Sequence, residues 1–286
     1  SGDSLFGDAG DDSIDGGDGN DIINGGLAND TLLGGDGNDD ISAGSGDDSV
    51  LAGDGQDTID GSIGSDTVDA GDGNDRVIGD TPGFLGGGND SLLGGQGNDT
   101  IMGLTGDDFV DGMGGNDVVS GDDGNDTVFG GGGTDSLTGG NGNDIIRGHS
   151  GNDTMSGDSG NDLLDAGDGD DVVLGDDQFS TFAGADTIQG GLGNDSLSGG
   201  RGSDTIFGGG GQDTLLGESG NDLLNGNSGN DNIEGGDGND NVFGGAGNDL
   251  IIGEESFIAS IAVGNDTLNG QSGNDTILAG SGDDFA

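Results

Sequence analysis

Aspartate recurs in this chain with a period of nine residues. Asp3, Asp12, Asp21, Asp30, Asp39, Asp48, Asp57, Asp66 and Asp75 form a first run, and after a step of 15 come Asp90, Asp99, Asp108, Asp117, Asp126, Asp135, Asp144, Asp153, Asp162 and Asp171. A second step of 15 leads to Asp186, Asp195, Asp204, Asp213, Asp222, Asp231, Asp240 and Asp249, and a step of 17 to Asp266, Asp275 and Asp284. A fixed short period over a whole chain is the signature of a solenoid, in which each unit meets only its neighbours. These 30 units occupy essentially all 286 residues.

With the recurring Asp as position six, position four is Gly except at Ser1 and Ala28, position five is mostly Asn, and position eight is aliphatic or Met except at Ala286. The unit is therefore G-G-x-G-[N/D]-D-x-U-x, with U a large apolar residue. The Gly-rich half, such as Gly16 to Asp21, reads as a turn that brings backbone close to a ligand. The other half, such as Ile22-Ile23-Asn24, reads as a three-residue strand whose middle side chain points inward. One unit cannot close a structure. Two units, 18 residues, make one coil, and stacked coils make two parallel sheets.

Charge shows what else the chain needs. It carries 58 acids against three Arg, a net charge of -55, with 27% hydrophobic residues. Such a polymer is disordered unless something supplies both cohesion and positive charge. Nucleic acid is excluded as a partner because clustered Lys and Arg are missing, and no apolar run is long enough for membrane insertion. The absence of Cys removes disulfides, thiolate catalysis and Cys-based zinc sites, and His149 has no second His beside it. Stacked turns would place Asp21 near Asp39 at about 4.8 Å, where like charges repel strongly without a cation between them. A hard cation with flexible oxygen coordination suits this arrangement, which favours calcium over magnesium.

The repeat resembles the RTX (hemolysin-type calcium-binding) nonapeptide array. That resemblance implies an all-β parallel β-roll, a right-handed β-solenoid with two parallel sheets and about 15 coils of 18 residues. It also implies one Ca²⁺ between each pair of same-side turns, held by the position-six Asp and by turn carbonyls, with position five contributing in some turns. All 30 aspartates named above are thus candidate metal ligands. Two stacks of 15 turns leave about 14 gaps each, so roughly 28 ions would bring about +56 against the -55.

The chain is read as a single continuous array over residues 1–286, with bulged units near 79–88, 175–184 and 253–264. These are units 10, 20 and 28, all even, so their insertions are expected on one edge. Each insertion follows a Gly-acid pair and carries apolar residues: Phe84 and Leu85, Phe179 and Phe182, Phe257 and Ile258. They are expected to be tolerated loops, with a docking edge as the sharper reading. His149 is expected at the surface, and Arg76, Arg147 and Arg201 beside neighbouring acids.

No nucleophile, base and oxyanion constellation appears, so the chain is expected not to be an enzyme. The resemblance points to a calcium-binding structural or spacer segment of a secreted bacterial surface protein, of S-layer, adhesin or extracellular-matrix type, exported by type I secretion and folding on calcium outside the cell. The alternative is the calcium-dependent folding module of an RTX enzyme or toxin. The expected partners are calcium ions, with lateral or end-to-end self-association or neighbouring domains of a parent chain. Ice binding is set aside, because solenoids that resemble this one and bind ice carry a Thr rank at position three. Here position three holds Asp18, Leu27, Asp36, Ser45, Asp54, Ile63 and Asp72, with Thr105 alone.

Overall fold

The computed structural model describes residues 1–83, 87–176, 184–254 and 264–286. Among these residues every regular element is a β-strand. The chain divides into two compact units, Ser1–Ile145 and Ile146–Ala286.

In the first unit one sheet runs in the order Ser4–Phe6, Ile22–Leu27, Asp40–Ser45, Thr58–Ile63, Arg76–Asp80, Thr100–Thr105, Val118–Asp123, Ser136–Asn141. The other runs Ser13–Asp18, Thr31–Asp36, Ser49–Asp54, Thr67–Asp72, Ser91–Gln96, Phe109–Gly114, Thr127–Gly132. In the second unit Thr154–Ser159, Val172–Leu174, Ser196–Arg201, Thr214–Ser219, Asn232–Glu234, Leu250–Ile252 and Thr276–Leu278 alternate along the chain with the strands of a second sheet. That sheet runs Leu163–Asp168, Thr187–Leu192, Thr205–Gly210, Leu223–Ser228, Asn241–Ala246, Thr267–Ser272. All pairing is parallel, and the register is the 18-residue coil: Ile23 faces Ile41, and Ile41 faces Ile59. Odd units build one sheet and even units the other, as the repeat predicts.

Position eight is the core. Ile23, Leu32, Ile41, Ile59, Leu92, Ile101, Leu215 and Ile251 are among those at 0–1% exposure. Position one adds a second inward layer, where Ala43, Ala52, Ala70 and Ala166 are fully buried among glycines. Stacking identical positions buries each aliphatic side chain against its copy on the next coil, so a core forms from few apolar residues.

The strands are longer than the sequence predicts. Most run six residues, taking in positions one to three of the following unit, as in Ile22–Leu27. The Gly pair thus belongs to the strand, because parallel neighbours pair with it: Gly17 with Gly35 and Asp18 with Asp36. Position two bends the strand through a left-handed backbone. Apart from Ala28, the non-glycine residues at positive φ among the described residues all occupy position two, Leu104, Met113 and His149 included. His149 is exposed there, as expected.

The interruptions leave the register intact. Thr67 pairs with Ser91 and Leu163 with Thr187 across 24 residues, and Asn241 pairs with Thr267 across 26. The apolar residues carried by the insertions, Phe84, Leu85, Phe179, Phe182, Phe257 and Ile258, lie outside the described residues.

Candidate metal centre

Position six immediately precedes each strand and, like position eight, faces inward, because side chains two apart share a face. From Asp21 to Asp266 every position-six Asp is 1–3% exposed. Only at the chain ends does this relax, with Asp3 exposed and Asp12, Asp275 and Asp284 half-buried.

The two carboxylate oxygens have different surroundings. Oδ1 accepts the backbone N–H of the position-six Asp one coil earlier: Asp21 donates to Asp39 at 2.8 Å and Asp30 to Asp48 at 2.7 Å. The ladder crosses the interruptions, with Asp66 donating to Asp90 at 2.7 Å and Asp240 to Asp266 at 3.0 Å. Oδ2 is buried and accepts no hydrogen bond in every position-six Asp from Asp12 to Asp126 and from Asp171 to Asp266. A buried carboxylate oxygen without a donor is strongly disfavoured unless a cation meets it.

Electrostatics carry the same message. Burial pushes these carboxyls up, the N–H from the preceding coil lowers them, and like charges along the row raise them again. The carboxyls of Asp66 and Asp186 are pushed up to about 8, and those of Asp108, Asp117, Asp126 and Asp222 to about 7. Asp57, Asp99 and Asp231 reach about 6. A row of such groups is fully ionised near neutral pH only beside positive charge.

Backbone carbonyls border the row. Position four has a left-handed backbone in most units, φ +133° at Gly37, and a Cβ built there would collide with the Gly19 carbonyl oxygen one coil back. Neither the Gly19 nor the Gly37 carbonyl accepts a backbone hydrogen bond. At Gly55, Gly124 and Gly229 the same spot also faces Oδ1 of the unit's own Asp, 2.8–2.9 Å from the built Cβ. Carboxylate and carbonyl oxygens therefore converge along the turn, the hard-oxygen donor set that calcium prefers. Among the described residues no three His, Cys, Asp or Glu side chains group closely enough to hold a metal. Ligation would combine few carboxylates with main-chain oxygens.

Position five behaves otherwise. Its side chains are exposed and form a ladder of their own, with the Asn38 N–H donating to Oδ1 of Asn20 at 3.1 Å and that of Asn116 to Asn98 at 2.7 Å. The acids at position two of the interrupted units stand out in the sequence only as Gly-acid pairs before the insertions, with no role assigned to them. Asp80, Asp176 and Glu254 are 2–5% exposed. Burial holds the Asp176 carboxyl above its ordinary value, against the lowering effect of the Arg201 and Gly184 N–H groups and of the Arg201 charge.

A family model described as the RTX calcium-binding nonapeptide repeat matches eleven segments of the chain: 1–32, 16–50, 33–68, 51–81, 84–119, 111–146, 120–155, 147–182, 180–215, 216–251 and 263–286. No curated protein gives a significant match. Among solved structures, the chain is similar to a hyperactive, Ca²⁺-dependent, β-helical antifreeze protein from an Antarctic bacterium. The TM-score is 0.61 at 26% identity, covering 78% of this chain and 83% of that one. No helix among the described residues is long and apolar enough to cross a membrane.

Proposed function

The chain belongs to the RTX calcium-binding nonapeptide repeat family, and on that footing we propose that it is a calcium-dependent structural or spacer segment of a secreted bacterial surface protein. One observation carries the calcium half of this reading: the rows of buried position-six carboxylates whose Oδ2 atoms accept no hydrogen bond. Oδ2 of these aspartates, which lies beside position one, would hold the ion together with main-chain oxygens of the turns. Bound calcium supplies the positive charge and the coordination that offset the burial of so many carboxylates.

Folding and calcium binding are then one event. In a cytosol with little free calcium the chain stays extended and exportable, and it folds where calcium is abundant. The folding module of an RTX enzyme or toxin is the second reading, since it requires the same row. The antifreeze activity of the solved relative is not part of this proposal. Position three, where a flat Thr rank would have to run, holds the exposed and paired Asp18, Asp36, Asp54 and Asp72.

The test is a far-UV CD titration of the full chain. The chain is expected to be disordered in EDTA and to gain β-structure at roughly 10⁻⁴–10⁻³ M calcium, the range of extracellular modules. Magnesium at the same concentration should leave it disordered. Unchanged β-structure in EDTA would overturn the reading.

A further inference from the structure

The three insertions share one device at their base. In an uninterrupted turn two backbone hydrogen bonds join a unit to the coil ahead. The position-four N–H donates forward to a position-three carbonyl, as from Gly97 to Gly114 at 2.8 Å and from Gly220 to Asp237 at 2.8 Å. The position-three N–H donates back to a position-two carbonyl, as from Asp237 to Glu218 at 2.6 Å. An insertion between positions two and four separates the partners of this pattern.

At each interruption the side chain of the position-two acid collects both donors instead. The Gly88 N–H donates to Oδ1 of Asp80 at 3.2 Å, while the Thr105 N–H and Oγ1–H donate to Oδ2 at 3.2 Å and 2.7 Å. The N–H groups of Gly184 and Arg201 donate to Oδ2 of Asp176 at 3.4 Å and 2.9 Å. The Gly264 N–H donates to Oε1 of Glu254, and the Ser281 N–H and Oγ–H donate to Oε2 at 3.1 Å and 2.6 Å. Gly88, Gly184 and Gly264 are position four of their units, and Thr105, Arg201 and Ser281 are position three of the coil ahead. The longest interruption, with its 17-residue step, uses the longer acid.

We propose that Asp80, Asp176 and Glu254 are positioning residues of the calcium row, each carboxylate replacing the two backbone hydrogen bonds that an insertion abolishes and so returning the position-four glycine to the row. This rests on the calcium reading above. The glycine so returned is the one whose carbonyl faces the next coil: a Cβ on Gly106, Gly202 or Gly282 would collide with the carbonyl oxygen of Gly88, Gly184 or Gly264. A carboxylate suits the task because it is acceptor-only, and the groups it meets are all donors. The position-six ladder thus runs past the insertions unbroken.

The test uses the full chain with the single substitutions Asp80→Ala, Asp176→Ala and Glu254→Ala. Bound calcium per chain is measured by equilibrium dialysis, and amide exchange by mass spectrometry of peptides containing Gly88, Gly184 and Gly264. Each variant is expected to lose about one bound ion and at least tenfold exchange protection at its own re-entry glycine. The other two interruptions and the uninterrupted stretch 112–129 should be unchanged. Should Asp80→Ala fail to fold, Asp80→Asn, which keeps one acceptor oxygen, should fold with intermediate protection; wild-type protection there would overturn the proposal. Alanine variants matching a calcium-binding wild type overturn the positioning role alone, whereas a wild type that binds no calcium overturns the proposed function itself.

Discussion

At the scale of single residues, an interior aspartate such as Asp117 ties two coils together through Oδ1, and on the proposed reading its Oδ2, which accepts no hydrogen bond, meets a cation. Asp117→Asn preserves the shape and the Oδ1 acceptor for the Asp99 N–H but removes the charge. It should lower bound calcium by at least one ion per chain and raise the calcium needed for folding, read by dialysis and CD. Asn116→Ala, which removes only the Oδ1 that accepts the Thr134 N–H in the position-five ladder, should leave the ion count unchanged. The pH dependence follows from the same burial. In the calcium-free chain the carboxyls are held above their ordinary 3.8, so folding takes up protons. That contribution is complete below 3.8 and is lost as pH rises through about 6 for Asp57, 7 for Asp126 and 8 for Asp66. Calcium-free chain should therefore gain β-structure as pH falls from 8 to 4, and calcium should bind more weakly over the same descent because protons compete for its oxygens. A flat CD signal and a constant calcium midpoint would contradict this.

At the scale of the strand, the inward stripe was legible and the strand length was not. Position eight stood out because it is apolar in nearly every unit, and Ile101 is fully buried as that pattern requires. Ile101→Ala should cost about 2–5 kcal/mol, measured by denaturant unfolding in saturating calcium, because copies on both neighbouring coils prevent the cavity from collapsing. The glycines at positions one and two read as a turn, since glycine is a poor strand former in isolation. Pairing decided otherwise: Gly35 finds Gly17 and Gly53 in register on either side and stays in the strand despite its positive φ. Propensity yields here to contacts that a single unit cannot make.

At the scale of the whole molecule, stability is a sum over neighbouring coils. Removing residues 112–129, one full coil without an insertion, should leave a chain that still folds on calcium, with about two fewer ions. Removing 112–114 alone should break the register and raise the calcium requirement sharply. CD titration and ion counting distinguish the two. Equal behaviour would contradict a fold built on an 18-residue register. The charge of -55 acts at this scale too, as the unloaded half of a salt whose other half is calcium.

The period of nine by itself determined the solenoid, the parity of the sheets, the buried row at position eight and the identity of the position-six aspartates, because each is a property of spacing and residue type. The Gly-acid pairs before the insertions were also visible in the sequence, though not their task. Only the tertiary structure decided which carboxylate oxygen bonds the preceding coil, that the position-five side chains bond one another, and that Asp80, Asp176 and Glu254 turn inward. These depend on what lies 18 to 27 residues away, and a partner at that distance becomes a neighbour only when the coils stack.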